Sequence, residues 1–162
     1  MRAAGFAGYE RVLTAVDPVH AHDKPAVLDA RLIKAGQLFA ATWAGELHVL
    51  HAYLSGQYVP FVAPGAELPP PFHGEAPETL HRRALDELVA GTGVGTSHVL
   101  LETGDPRQLI PETAARLGAT LVVMGAVARS RVKRWLIGST AESVLDRVDC
   151  DVLIVKPEVA EA

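Results

Sequence analysis

Two short runs in this chain are apolar at nearly every position, VLTAV at 12–16 and LVVM at 121–124. A strand with one wet face alternates apolar and polar side chains. A run that does not alternate has to be covered on both faces, and in one domain that means helices on both sides of a parallel sheet. The sequence between these runs supplies the helices. Residues 26–44 repeat Leu28, Leu32, Ala35, Leu38 and Phe39 at helical spacing, with Asp29, Arg31 and Lys34 on a charged face, and Gly45 stops the run. Residues 78–90 form a second amphipathic stretch ended by Gly91. Asp105 and Pro106 read as an N-cap and a first helical residue, in a helix that reaches Leu117 and stops at Gly118. Residues 139–148 form the last helix, with Ser139 and Glu142 at the spacing of a capping box.

Three further strands complete the pattern, at 46–53 (ELHVLHAY), 97–102 (SHVLLE) and 152–155 (VLIV); the two apolar runs extend to 11–16 and 120–124. Strands and helices alternate throughout. This predicts an α/β fold, an open five-stranded parallel sheet with helices on both faces joined by right-handed crossovers. Such sheets bind ligands at the carboxyl ends of their strands, near the point where strand order reverses. Asp17 after the first strand, the loop after the second, and Gly125 onward after the fourth converge there.

The length of 162 residues suits one domain, expected over 9–157 with a flexible leader at 1–8 and a flexible tail at 158–162. Residues 55–77 are rich in proline and glycine and read as a long loop, in which Tyr58, Phe61 and Phe72 are apolar anchors able to fill or cover a pocket. A net charge of -4 argues against nucleic acid as a partner, and no run approaches the roughly 20 apolar residues of a membrane span. The N-terminus lacks the form of a secretory signal, so the expected location is cytoplasmic. Cys150 is the single cysteine, which excludes an internal disulfide; ahead of a buried strand it reads as a small hydrophobe.

The segment from 125 to 140 carries the chemistry. Gly125 allows a tight turn and close backbone approach after the fourth strand. Gly138, Ser139 and Thr140 open a helix whose free N–H groups suit an anion. Arg129, Arg131, Lys133 and Arg134 lie between them, as phosphate attraction or as a solvated basic loop. The spacing resembles the universal stress protein family, whose motif runs Gly, two residues, Gly, nine residues, Gly, then Ser or Thr. Gly125, Ala128, Gly138 and Ser139 occupy those positions. LVVMG before the motif, GSTAESVL after it and CDVLIVKP at the end also resemble the family. AVDPVHAHDKPAVLD is similar to the second half of the family's tandem-domain stress protein E branch.

The resemblance implies a Rossmann-like, adenine nucleotide alpha hydrolase-like fold and a site for ATP or AMP, with or without Mg2+. Carried over by position, Ala15 and Asp17 would face adenine and Leu47 would contact the base. Met124, Gly125, Ala128, Arg129, Gly138, Ser139 and Thr140 would line ribose and phosphates. Two positions depart from the motif: alanine replaces glycine at 128, and Val127 stands where binding members carry a polar or basic residue. Two functions therefore stay open. One is a nucleotide-binding stress-response regulator. The other is a dimeric stress protein that does not bind ATP and acts through protein interaction or a lipid-like ligand. The resemblance also implies a homodimer paired through the last strand, Val152 to Val155.

No nucleophile stands beside a base, and neither a Gly-x-Ser-x-Gly elbow nor an HExxH motif occurs. Dedicated catalysis is not expected, beyond at most a weak ATPase activity. His20, His22 and Asp23 offer a loose set of metal ligands that reads more readily as surface residues. His48 and His51, three apart on a strand, face opposite sides, one of them near the ligand edge.

Overall fold

The computed structural model describes residues 8–19, 26–55, 76–126 and 138–157. The strands are β1 (Arg11–Val16), β2 (Glu46–Tyr53), β3 (Val99–Thr103), β4 (Leu121–Gly125) and β5 (Asp151–Val155). The helices are α1 (Ala26–Thr42), α2 (Pro77–Val89), α3 (Pro106–Leu117) and α4 (Ser139–Leu145), with a short 3-10 turn at Thr96–His98. All strand pairs are parallel, in the order β3-β2-β1-β4-β5. This is the open five-stranded sheet that the unbroken apolar runs require.

Each face of the sheet has its own core. Val12, Val49, Leu121 and Val123 pack against Leu28, Leu32 and Ile33 of α1 and Leu85 of α2. Leu13, Leu50, Val122 and Met124 pack against Ile110 and Ala114 of α3 and Ala141 and Val144 of α4. Burying each large aliphatic side chain contributes roughly 2 kcal/mol, so the two faces together hold the sheet. Asp105 caps α3 as its type and position predict, accepting from the Arg107 N–H at 2.9 Å, with Pro106 next and Gly118 left-handed at the far end.

Packing overrides the sequence pattern at several points. Leu38 lies 66% exposed, while Ile33 enters the core in its place. Asp29, expected on the charged face of α1, is fully buried. Ser97 and His98 belong to the 3-10 turn rather than to β3, which starts at Val99. The capping box does not form. Gly138 at φ 90 and ψ 146 is the N-cap of α4, so Ser139 is already inside the helix and no side chain caps it. That backbone conformation is one that glycine adopts without strain. Among the described residues no helix is long and apolar enough to cross a membrane.

Candidate functional site

The strand order reverses between β1 and β4. From β1 the chain passes to α1 on one face, and from β4 to α4 on the other, which leaves a crevice at the carboxyl edge between them. Asp17 follows β1 directly, and Ala126 follows β4, its N–H donating to the Val155 carbonyl at 2.9 Å. The structure therefore brings Ala15, Asp17, Met124 and Gly125 to one edge, and sets Gly138, Ser139 and Thr140 at the start of α4 beyond it.

Asp17 is positioned from below. Its backbone N–H donates to Oδ1 of Asp29 in the first turn of α1, at 3.0 Å. This bond ties the end of β1 to α1 and holds Asp17 half-buried at the crevice. The role of Asp29 was hidden in the sequence, where a carboxylate on an amphipathic helix reads as solvated.

Gly125 has a different reason from the one its place in the motif suggests. It lies inside β4, in register with Val155. A Cβ built on it would stand 2.9 Å from Cδ2 of Leu28 and 3.6 Å from Cδ1 of Leu32. Close packing of the Leu28 side chain on the sheet thus favours a glycine here, with or without a ligand. Met124 points the other way and is buried among α3 and α4 residues, with Ala15 packed partly against the same core.

Leu47 is not part of the edge. It pairs with Val12, at the amino half of the sheet, while the residues of β2 level with Val16 and beyond are His51 to Tyr53. Leu47 is buried in the core beneath α1. A side chain on β2 has to lie several residues later to reach a ligand beside Asp17. Ala128 and Arg129 lie outside the described residues, as do Val127, His20, His22, Asp23, the aromatic anchors of the 55–77 loop and the basic residues from 129 to 134.

What stands at the carboxyl end of β2 is a buried aromatic cluster. His51 Nδ1 lies 3.1 Å from the Val16 carbonyl, and His51 Nε2 lies 2.7 Å from His81 Nδ1 on α2. The Tyr53 ring stacks on His81 with centroids 3.9 Å apart. A carbonyl only accepts, so His51 carries its proton on Nδ1; its bare Nε2 then accepts from Nδ1–H of His81. The assignment needs a neutral His51, whose Nε2 has to keep its lone pair. Burial pushes the His81 pKa down to about 4, the His51 ring adds to the shift, and Asp17 opposes it. His51 confirms that one of the two β2 histidines lies at this edge. The signal for the cluster was the pair itself, a histidine at the end of a buried strand and another on the inner face of the next helix.

α4 has only seven residues, so its dipole is smaller than that of a long helix. Its first intrahelical bond runs from the Glu142 N–H to the Gly138 carbonyl at 2.9 Å. The preceding N–H groups of the first turn have no intrahelical acceptor and suit an anion. Cys150 is half-buried, and burial followed by Asp151 and Asp149 raises its pKa, so the thiol stays protonated.

With this geometry in place, relatives become informative. Residues 8–156 match the model of the Universal stress protein family. Universal stress protein E of Escherichia coli K12 is 33% identical over 116 residues, 70% of this chain and 35% of that protein. A crystal structure from Pseudomonas aeruginosa, described as a universal stress protein, superposes with a TM-score of 0.74 at 31% identity, over 97% of this chain and 51% of that one. The chain thus spans between a third and about half the length of these relatives. A universal stress protein solved in complex with cAMP has a TM-score of 0.62 at 22% identity, over 92% of this chain and 98% of that one, a likeness of fold.

Proposed function

The chain belongs to the universal stress protein family, and on that premise we propose that it is a stress-response regulator whose sheet edge binds an adenine nucleotide, ATP or AMP. The observation that carries this reading is the crevice at the strand-order reversal, with Asp17 fixed on one side by Asp29 and, on the other, the first-turn N–H groups of α4, which have no intrahelical acceptor. The base lies toward Asp17 and Ala15. The phosphates lie toward Gly138, Ser139 and Thr140, with Mg2+ accompanying ATP. A relative of the same fold in complex with cAMP supports an adenine nucleotide as the ligand class. The residues supply binding and orientation, and no described side chain is placed to activate water.

Calorimetry with ATP and Mg2+, AMP and cAMP tests the reading. Binding in the micromolar to millimolar range is expected, weakened at least tenfold by Ser139→Asp. Ser139 is exposed, so the added carboxylate repels phosphate without disturbing the core. No heat at millimolar nucleotide would overturn it. The alternative function, a stress protein that does not bind ATP, gains one specific support: packing against Leu28 accounts for Gly125 without a ligand. Mass spectrometry of ligands released from the purified protein separates the two.

The protein acts as a homodimer in either case. Among the described residues β5 is an edge strand paired only with β4, and Val152, Leu153, Ile154 and Val155 remain half-buried in the single chain. An apolar edge of this kind favours pairing with a second copy. Sedimentation at tens of micromolar should give a dimer; a monomer there would remove the proposal.

A further inference from the structure

At the opposite, amino edge of the sheet stands a second cluster that the nucleotide reading does not use. Glu46 opens β2 and His48 follows two residues later, so both project from one face. Val49 pairs with Val99, which sets His98, the last residue of the 3-10 turn, beside His48. The three side chains offer one ligand atom each, all within 4.8 Å of one another. His48 Nε2 is 3.6 Å from Glu46 Oε2, and the His48 and His98 rings lie 4.4 Å apart in a tilted contact. We propose that Glu46, His48 and His98 form a binding site for a divalent transition-metal ion of the zinc class.

The donor set is right for such an ion. Two imidazoles and one carboxylate, with the remaining position left to water, is a usual zinc complement. Donors around a zinc ion stand about 2.0–2.2 Å from it, hence about 3.3 Å from one another. The present spacing reaches that by small side-chain rotations, for which exposed Glu46 and half-buried His98 have room. His48 is the fixed member, 92% buried, and its Nδ1 has no hydrogen-bond partner. The nitrogen that faces Glu46 is Nε2, and a cation at the cluster would take the lone pair of that nitrogen, which leaves the proton on Nδ1.

The surroundings set the strength. Arg11 pairs with Glu46 across β1 and β2 on the same face, and its charge is felt at His48. A guanidinium there opposes a second cation, which places the affinity in the micromolar range. A bound ion would fasten the turn before β3 to the start of β2, at the far end of the strands from the crevice. Its effect is thus on stability, separate from nucleotide binding.

Zinc titration of the purified full chain, followed by calorimetry and by the melting temperature, tests the site, with Co2+ absorption reporting ligand geometry. One equivalent should bind with micromolar affinity and raise the melting temperature, and Co2+ should show the intense visible bands of low coordination number. Glu46→Gln and His98→Ala, both at positions outside the buried core, should each weaken binding at least tenfold. The double variant His20→Ala/His22→Ala should leave it unchanged. The proposal fails if no metal binds below about 100 μM, or if the His20/His22 variant loses the metal while Glu46→Gln and His98→Ala retain it.

Discussion

His51 and His81 share one short hydrogen bond, 2.7 Å between Nε2 and Nδ1, beneath the edge where β1 ends. Because the Val16 carbonyl fixes the proton on His51 Nδ1, the direction of this bond is set by the backbone of β1. The end of β1, the end of β2 and the inner face of α2 are thereby joined by neutral, buried polar groups. Breaking the pair exposes a desolvated nitrogen on each partner, at a cost of about 1–3 kcal/mol per orphaned group.

The pair predicts how stability depends on pH. In the folded chain His81 titrates near 4, while in the unfolded chain it titrates near the ordinary 6.5. Between those values the unfolded state holds more protons, so stability is full above pH 6.5 and is lost as pH falls toward 4. Urea unfolding should show a loss of about 1–3 kcal/mol across this window. His48, whose pKa is also lowered, adds slope of the same sign. His81→Phe keeps an aromatic ring against Tyr53 and removes the titrating group, so it should flatten the acid slope in part while lowering stability at pH 7. An unchanged slope in this variant would show that His81 does not titrate in the window.

Gly125 and Leu28 should behave as a coupled pair. Gly125→Ala places a methyl group 2.9 Å from Cδ2 of the buried Leu28, whose side chain has to shift, and should destabilise by about 1 kcal/mol or more. Leu28→Ala alone leaves a cavity and should cost about 2–5 kcal/mol. In the double variant the new methyl occupies space that the leucine vacates. The combined loss should therefore be smaller than the sum, by about 1 kcal/mol or more in a double-mutant cycle. Strict additivity would mean that the glycine is not held by α1.

The contrast between Gly125 and Asp105 shows what the sequence can reveal. Asp105, Pro106 and Gly118 act through neighbours within a few residues, and α3 starts and stops where they say. The unbroken apolar runs of β1 and β4 likewise state their own burial, and with the alternation of elements they make the parallel sheet legible. Asp29, Leu38 and Leu47 depend on which side of a helix or which end of a strand meets the rest of the chain, and local periodicity does not carry that information. Leu47 lies on β2 four residues short of the height of Val16. The Glu46, His48 and His98 cluster is invisible for the same reason, since it rests on the register between β2 and β3. At α4 the conformation of Gly138 displaced an expected capping box by one residue.

The Asp105 cap should be worth more than the ion pair that accompanies it. Asp105 accepts from the Arg107 N–H and also pairs with the Arg107 guanidinium at 2.6 Å. The guanidinium hydrogen bond holds the Asp105 carboxyl below its usual range. Asp105→Ala removes the cap and should cost about 1 kcal/mol. Arg107→Ala removes only a half-exposed partner and should cost about 0.5 kcal/mol or less. Thermal unfolding at low and high salt separates them, since the difference caused by Arg107→Ala should shrink with salt and that caused by Asp105→Ala should largely persist.

Asp29 links the stability of α1 to the proposed ligand site. Asp29→Ala removes the buried acceptor of the Asp17 N–H, and should cost about 1–3 kcal/mol. Asp29→Asn keeps a carbonyl oxygen at the same position, so the N–H of Asp17 retains its acceptor and the loss should be smaller. If Asp29 acts by holding Asp17 at the crevice, nucleotide affinity should follow the same order, unchanged to slightly weaker in Asp29→Asn and at least fivefold weaker in Asp29→Ala. Both measurements belong at a temperature where each variant is fully folded, with calorimetry for affinity and urea unfolding for stability. A large stability loss in Asp29→Ala with wild-type affinity would mean that Asp17 does not need this anchor to meet the ligand.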